Sequence, residues 1–197
     1  AVYLRWVSGV VEPESAADLT MTLGKNAGIG SGIFKKLYGM DLSIAGGSVV
    51  TLKDGEFYLG NKANFKVDGG ILSVEGNMSF YNYDDDATLT GMVVNNGTIR
   101  GTGILSFTPN PGDPKPAVVF TNNGTISPGL SPGKLTIQGD YAHGTGILTT
   151  ELGVPTPGMY DELAVTGHAT LSGTLTANFP SGFTPTQDSD FKILTAT

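Results

Sequence analysis

Cysteine is absent from the 197 residues, so disulfide staples and thiolate metal sites are excluded. Charge is scarce as well: 15% of residues are charged, well under the usual quarter. Eleven Lys and Arg face 18 Asp and Glu, and the net charge of −7 argues against non-specific binding to nucleic acid or to an anionic membrane. No apolar run approaches the length of a membrane span, so membrane insertion is not expected, and no signal-peptide pattern stands at the start. Disorder is excluded from the other side, because it needs high charge and few apolar residues, whereas 39% of this chain is hydrophobic.

What is present is glycine, 29 of them, set among Thr, Ser and Asn. The stretch Asn122 to Tyr141, NNGTISPGLSPGKLTIQGDY, shows how they are used. Asn-Gly is read as a turn with positive φ, Pro128-Gly129 and Pro132-Gly133 as two corners, and Leu135-Thr136-Ile137 alternates like a half-buried strand. Strands this short bury nothing alone and need neighbours stacked above and below. Leu52, Leu59, Val67 and Val74 repeat every seven or eight residues and close a set after 22, the spacing of a three-sided solenoid. Asn-Asn-Gly-Thr-Ile recurs at 95–99 and 122–126, an offset of 27. The excess is assigned to the proline-rich 109–116 segment, which is expected to bulge from one corner.

The first 45 residues are less regular. Val2-Tyr3-Leu4-Arg5-Trp6-Val7 reads as a strand, Leu19 to Leu23 alternates, and Ile33, Phe34, Leu37 and Tyr38 have the spacing of a two-turn amphipathic helix. The C-terminal run 169–179 alternates over eleven residues, with Gly173 as a bend between two sides or the run as part of a broader sheet. A β-sandwich is the structural alternative, above all for residues 142–197.

The run NGTISPGLSPGKLTIQGDY (123–141), then GTGILTTEL (144–152), YDELAVTGHATLSGTLTANF (160–179) and GFTPTQDSDFKILTA (182–196), resembles the passenger-associated transport repeat of bacterial autotransporter and related surface adhesin proteins. The resemblance implies a right-handed parallel β-helix, secreted or on a bacterial cell surface. The expected fold is therefore all-β: an N-terminal segment with a short capping helix over 1–45, then parallel β-helix coils over 46–197. Eight or nine coils are expected, giving a rod roughly 40 Å long. The structural motif residues are Asn96, Gly97, Asn123, Gly124, Pro128, Gly129, Pro132, Gly133, Asp161, Gly167 and Gly173.

Several motifs have a chemical look. Gly129-Leu130-Ser131-Pro132-Gly133 matches a nucleophile elbow in letters, but a strand follows where that motif needs a helix. Gly28 to Gly32 lacks the spacing of a phosphate loop. Asp84, Asp85 and Asp86 are weak candidates for Ca²⁺, since consecutive side chains on an extended backbone diverge; a solvated loop is expected and no cofactor. Asp161, next to Tyr160, is expected to accept backbone N–H bonds at a corner. His143 and His168 are placed at surface turns, and no acidic cluster lies near Arg100 in sequence.

The function these readings favour is not enzymatic. It is an extracellular structural or adhesive rod that self-associates end to end or continues in a longer chain, with both termini read as cuts. The assembly edge is Val2, Leu4 and Trp6 at one end and Phe191, Ile193 and Leu194 at the other. The alternatives are a carbohydrate-active β-helix, of the polysaccharide lyase or tailspike kind, and a glycan-binding module using Tyr58, Tyr81 and Tyr83 toward a host or matrix glycan. Two carboxylates and a base converging in a groove mark the enzyme, an aromatic platform without them marks glycan binding, and flat Thr/Ser/Asn faces with open ends mark the rod.

Overall fold

The computed structural model describes residues 19–23, 35–39 and 41–197. These residues wind into a three-sided solenoid of about six coils, each side a sheet of stacked strands. The first face holds β1 (Leu19–Leu23), β4 (Ser48–Leu52), β7 (Ile71–Val74), β10 (Thr98–Gly101), β13 (Thr125–Pro128), β16 (Ile147–Glu151) and β19 (Thr174–Asn178). The second holds β2 (Lys35–Tyr38), β5 (Gly55–Gly60), β8 (Asn77–Asn82), β11 (Ile104–Ser106), β14 (Lys134–Gln138), β17 (Glu162–Val165) and β20 (Leu194–Thr195). The third holds β3 (Leu42–Ala45), β6 (Asn64–Asp68), β9 (Met92–Asn95), β12 (Val119–Asn122), β15 (Tyr141–His143) and β18 (Ala169–Leu171). All strand pairings among the described residues are parallel, apart from four isolated bridges, and this overturns the β-sandwich alternative, residues 142–197 included.

The anchors fall one to a side: Leu52 in β4, Leu59 in β5, Val67 in β6 and Val74 in β7, all fully buried. Leu52 pairs with Val74, so the 22-residue set is one coil. The Asn-Asn-Gly-Thr-Ile repeats stack on one another, Asn95 on Asn122 and Ile99 on Ile126. The extra residues between them leave as the connection from β11 to β12, which holds the proline-rich segment. Further excursions of the same kind explain why the described residues make fewer coils than the shortest period alone would give them. Leu163 pairs with Leu194, a step much longer than 22. At about 4.8 Å per coil the described rod is roughly 30 Å long.

Side chains alternate in and out on each strand, and the inward ones form columns along the rod. One column runs Val50, Leu72, Ile99, Ile126, Leu148. An aromatic one stacks Phe57, Phe80, Phe107, Phe120 and Tyr141, with ring centroids 4.6 to 6.0 Å apart.

The capping helix expected over 33–38 is not found in its described part: residues 35–38 are β2, paired in parallel with β5 from Lys35↔Phe57 to Tyr38↔Gly60, and Ile33 and Phe34 lie outside the described residues. Leu37 is buried while Lys36 and Tyr38 face out, so a two-residue period fits the same letters. A two-turn helix is marginal by itself, and β5 offers a ready ladder of backbone partners. The other helical piece among the described residues is a 3₁₀ turn at Ala87–Leu89. Strands β1 to β3, within the first 45 residues, belong to the same three sheets as those that follow.

Gly97 and Gly124 also need a correction. Neither has positive φ. A Cβ on Gly124 would lie 2.3 Å from the Gly97 carbonyl oxygen, and one on Gly97 would lie 2.4 Å from that of Gly70. Gly146 and Gly173 repeat the contact above them, each at 2.3 Å. Glycine is required at this corner because successive coils touch there backbone to backbone. Gly173 is also the bend between β18 and β19, with φ +76°.

Candidate functional site

Three places on the solenoid bring chemically capable groups together. The first is the ladder at the end of the third face, where Val67, Asn95, Asn122, His143 and Leu171 follow one another inward. Asn95 Nδ2 donates to Asn122 Oδ1 at 2.6 Å, and Asn122 Nδ2 lies 3.1 Å from His143 Nδ1. The Tyr141 hydroxyl meets the same nitrogen, and burial pushes the Tyr141 phenol far above its ordinary range. Outside the corner, Asn123 Nδ2 donates to Asn96 Oδ1 and Asn96 Nδ2 to Asp68 Oδ1. His143 is thus 4% exposed and not on a surface turn, while His168 is exposed. His143 has inward parity on β15, which the neighbouring Gly144 disguises as a turn position in the sequence. Asn95, Asn122 and His143 are closed to solvent and serve the fold.

The second place is a cleft of about 320 Å³ on the outer first face, lined among others by Arg100, Ser131, Glu151 and Asp161. No sequence proximity links these residues; stacking does, since Arg100 pairs with Ser127 and β13 with β16. Asp161 is spent on the backbone: Oδ1 accepts the Gly133 N–H at 2.9 Å and Oδ2 the Glu151 N–H at 2.8 Å. Burial raises its pKa against those two bonds. Gly129 (φ +85°) must be glycine here, because a Cβ would lie 2.2 Å from Asp161 Oδ1. Ser131 Oγ donates to Glu151 Oε2 at 2.7 Å, and Arg100 Nε is shut from solvent without a partner. With Asp161 committed to two backbone N–H groups, Glu151 is the other carboxylate in this cleft. Gly167 sits by another corner, where Asp140 accepts the His168 N–H and a Cβ on Gly167 would press on its carboxylate. Pro128 is buried at the end of β13, while Pro132 is exposed.

The third is the acidic loop. Asp84 accepts the Asn61 N–H, Asp85 pairs with Lys115 at 3.4 Å, and Asp86 caps the 3₁₀ turn by accepting from Thr88. The three carboxylates therefore serve three separate partners. Among the described residues no group of three or more His, Cys, Asp or Glu is placed to hold a metal ion. Beside this loop the structure gathers Tyr38, Tyr58, Tyr81 and Tyr83 on the outer second face.

At the C-terminal end the inward columns run out. Leu171, Leu175 and Phe179 are 57%, 55% and 46% exposed. Of the edge residues read from sequence, Phe191 packs on Tyr160 at 5.3 Å, the Ile193 carbonyl accepts the Leu163 N–H, and Leu194 packs against the core. The open apolar surface is thus carried by β18 and β19 rather than by 191–194. Val2, Leu4 and Trp6 lie outside the described residues.

The chain matches no protein-family model, no curated protein and no solved structure. Among the described residues no helix is long and apolar enough to cross a membrane.

Proposed function

We propose that this chain is a segment of an extracellular structural or adhesive rod, wound right-handed, whose coils stack end to end on those of a second copy. The observation that carries the reading is the last coil. Leu148 is 8% exposed and Leu175, next in the same column, is 55% exposed, so the column is interrupted at full width. The outer edges of β18, β19 and β20 have no further strand among the described residues. A solenoid end of this kind invites pairing with another chain. Right-handed winding rests on the strong preference of parallel crossovers. Cell-surface or secreted location rests on the resemblance to autotransporter passenger repeats. Head-to-tail contact is heterologous and extends into filaments unless it closes a ring.

Sedimentation velocity over a wide concentration range tests this. The wild type should associate as concentration rises, and Leu171→Asp with Leu175→Asp should hold it monomeric without lowering Tm, since both residues are already exposed. Deleting residues 1–10, with Val2, Leu4 and Trp6, reports whether that segment is the opposing surface. A wild type that stays monomeric at every concentration overturns the reading.

A further inference from the structure

We infer that the outer second face, across β2, β5 and β8, is a binding platform for a neutral oligosaccharide; the inference is independent of end-to-end stacking. Four of the chain's seven tyrosines lie here. Lys36, Tyr58 and Tyr81 follow one another in register, facing out, while Leu37, Phe57, Leu59 and Phe80 between them are buried. The tyrosines therefore lie on the outer side of the sheet, Tyr58 and Tyr81 half-buried and Tyr38 and Tyr83 exposed. The Tyr58 and Tyr81 rings are 5.4 Å apart on adjacent coils, and Tyr83 meets Tyr38 edge-on at 6.1 Å.

Stacking between coils accounts for the Tyr58–Tyr81 contact, but not for the cleft beside it. That cleft, about 400 Å³, is lined by Tyr58, Asn82, Tyr83, Asp84, Asp85 and Lys115 and falls in the size range of small-ligand sites. Lys115 brings the proline-rich segment to one side of it, and that side is fixed in place. Asn82 Nδ2 donates to the carbonyls of Pro116 and Ala117, and Lys115 Nζ pairs with both Asp113 and Asp85. A pre-formed wall spares a ligand the cost of ordering it.

Charge selects the ligand. Lys36 Nζ stands 3.1 Å from the Tyr83 ring centroid and 4.7 Å from that of Tyr38, so the chain's own ammonium already occupies the cation seat of that ring pair. Asp84 and the exposed Asp85 stand at the cleft with one cation, Lys115, which is already paired with Asp85 and Asp113, and this acidic excess repels a carboxylated or sulfated sugar. A ligand with C–H groups to lay on the electron-rich ring faces and hydroxyls to donate to the carboxylates fits what remains. That is a neutral pyranose chain.

Isothermal titration with cellohexaose, laminarihexaose, maltohexaose and chitohexaose, with oligogalacturonate as the acidic probe, tests the assignment. At least one neutral hexasaccharide should bind with Kd of about 1 mM or tighter, and Tyr58→Ala and Tyr81→Ala should each weaken it roughly tenfold. Tyr58→Phe, which keeps the ring, should retain binding, and circular dichroism confirms that each variant keeps its fold. Asp85→Ala, at a side chain already exposed, should weaken neutral binding without touching the core. Failure of all four neutral probes, binding of oligogalacturonate alone, or alanine variants that bind like the wild type would each overturn it.

Discussion

Leu148 and Leu175 are paired in register on adjacent coils of one column, yet one is buried and the other more than half exposed. His143 and Leu171 repeat the contrast on the third face. In sequence the strands concerned look alike. A solenoid strand acquires an interior only from the coil laid on top of it, so burial here belongs to a position in the stack and not to an amphipathic segment.

The sharpest way to break that comparison is to cut the same column twice. Ile126→Ala, in mid-column, should lower stability by about 2–5 kcal/mol in chemical denaturation, whereas Leu175→Ala should fall within about 0.5 kcal/mol of wild type. Equal losses would mean that the last coil is as packed as the middle ones. The glycine corner offers a backbone version of the experiment. Gly124→Ala forces a methyl to within 2.3 Å of the Gly97 carbonyl and should cost about 1–3 kcal/mol. Gly46→Ala, whose Cβ would meet its nearest neighbour at 3.8 Å without positive φ, should change Tm little.

A smaller effect is expected from the polar ladder. Asn122→Leu removes the acceptor of Asn95 and a partner of His143 in a closed interior, a loss of about 1–3 kcal/mol. Asn123→Ala, on the outer side of the same corner, should stay within about 0.5 kcal/mol, and a larger loss there would move the important ladder outside. The smallest effect is electrostatic. Burial raises the Asp161 pKa above 3.8, so between that value and the folded pKa the native state holds more proton than the unfolded chain. Stability from this group therefore increases as pH falls through the window. The Tm difference between wild type and Asp161→Asn should shift in favour of the wild type on mild acidification, and a shift the other way would show that the two backbone N–H bonds dominate.

Period and corner were open to reading because both repeat: Leu52, Leu59, Val67 and Val74 mark one coil, and the two Asn-Asn-Gly-Thr-Ile runs mark a register. Asp161 was legible as a backbone acceptor because the Tyr160-Asp161 pair belongs to the pattern of the resembled repeat, at the entry to a strand-like run. The 33–38 segment misled because four apolar residues over two turns satisfy a helical period, and the strand that pairs with 35–38 lies some twenty residues on. Arg100 and Glu151 were hidden for a related reason. They come to one cleft by stacking through coils of unequal length, and no local spacing records where the surplus residues leave the wall. The tyrosines were visible as candidates, but the cleft beside them depends on a proline loop folding back on β8.

In a parallel stack the ladder hydrogen bonds point along the rod, not across it. A load applied between the ends therefore opens them head-on, one coil at a time, as a zipper opens, where a strand loaded along its own length would have to shear a whole row together. The rod should yield gradually from whichever end has the fewest neighbours and lengthen by a whole coil of polypeptide at each step. In the isolated chain the coil that carries Leu171 and Leu175, packed on one side only, is where such stepwise yielding should begin.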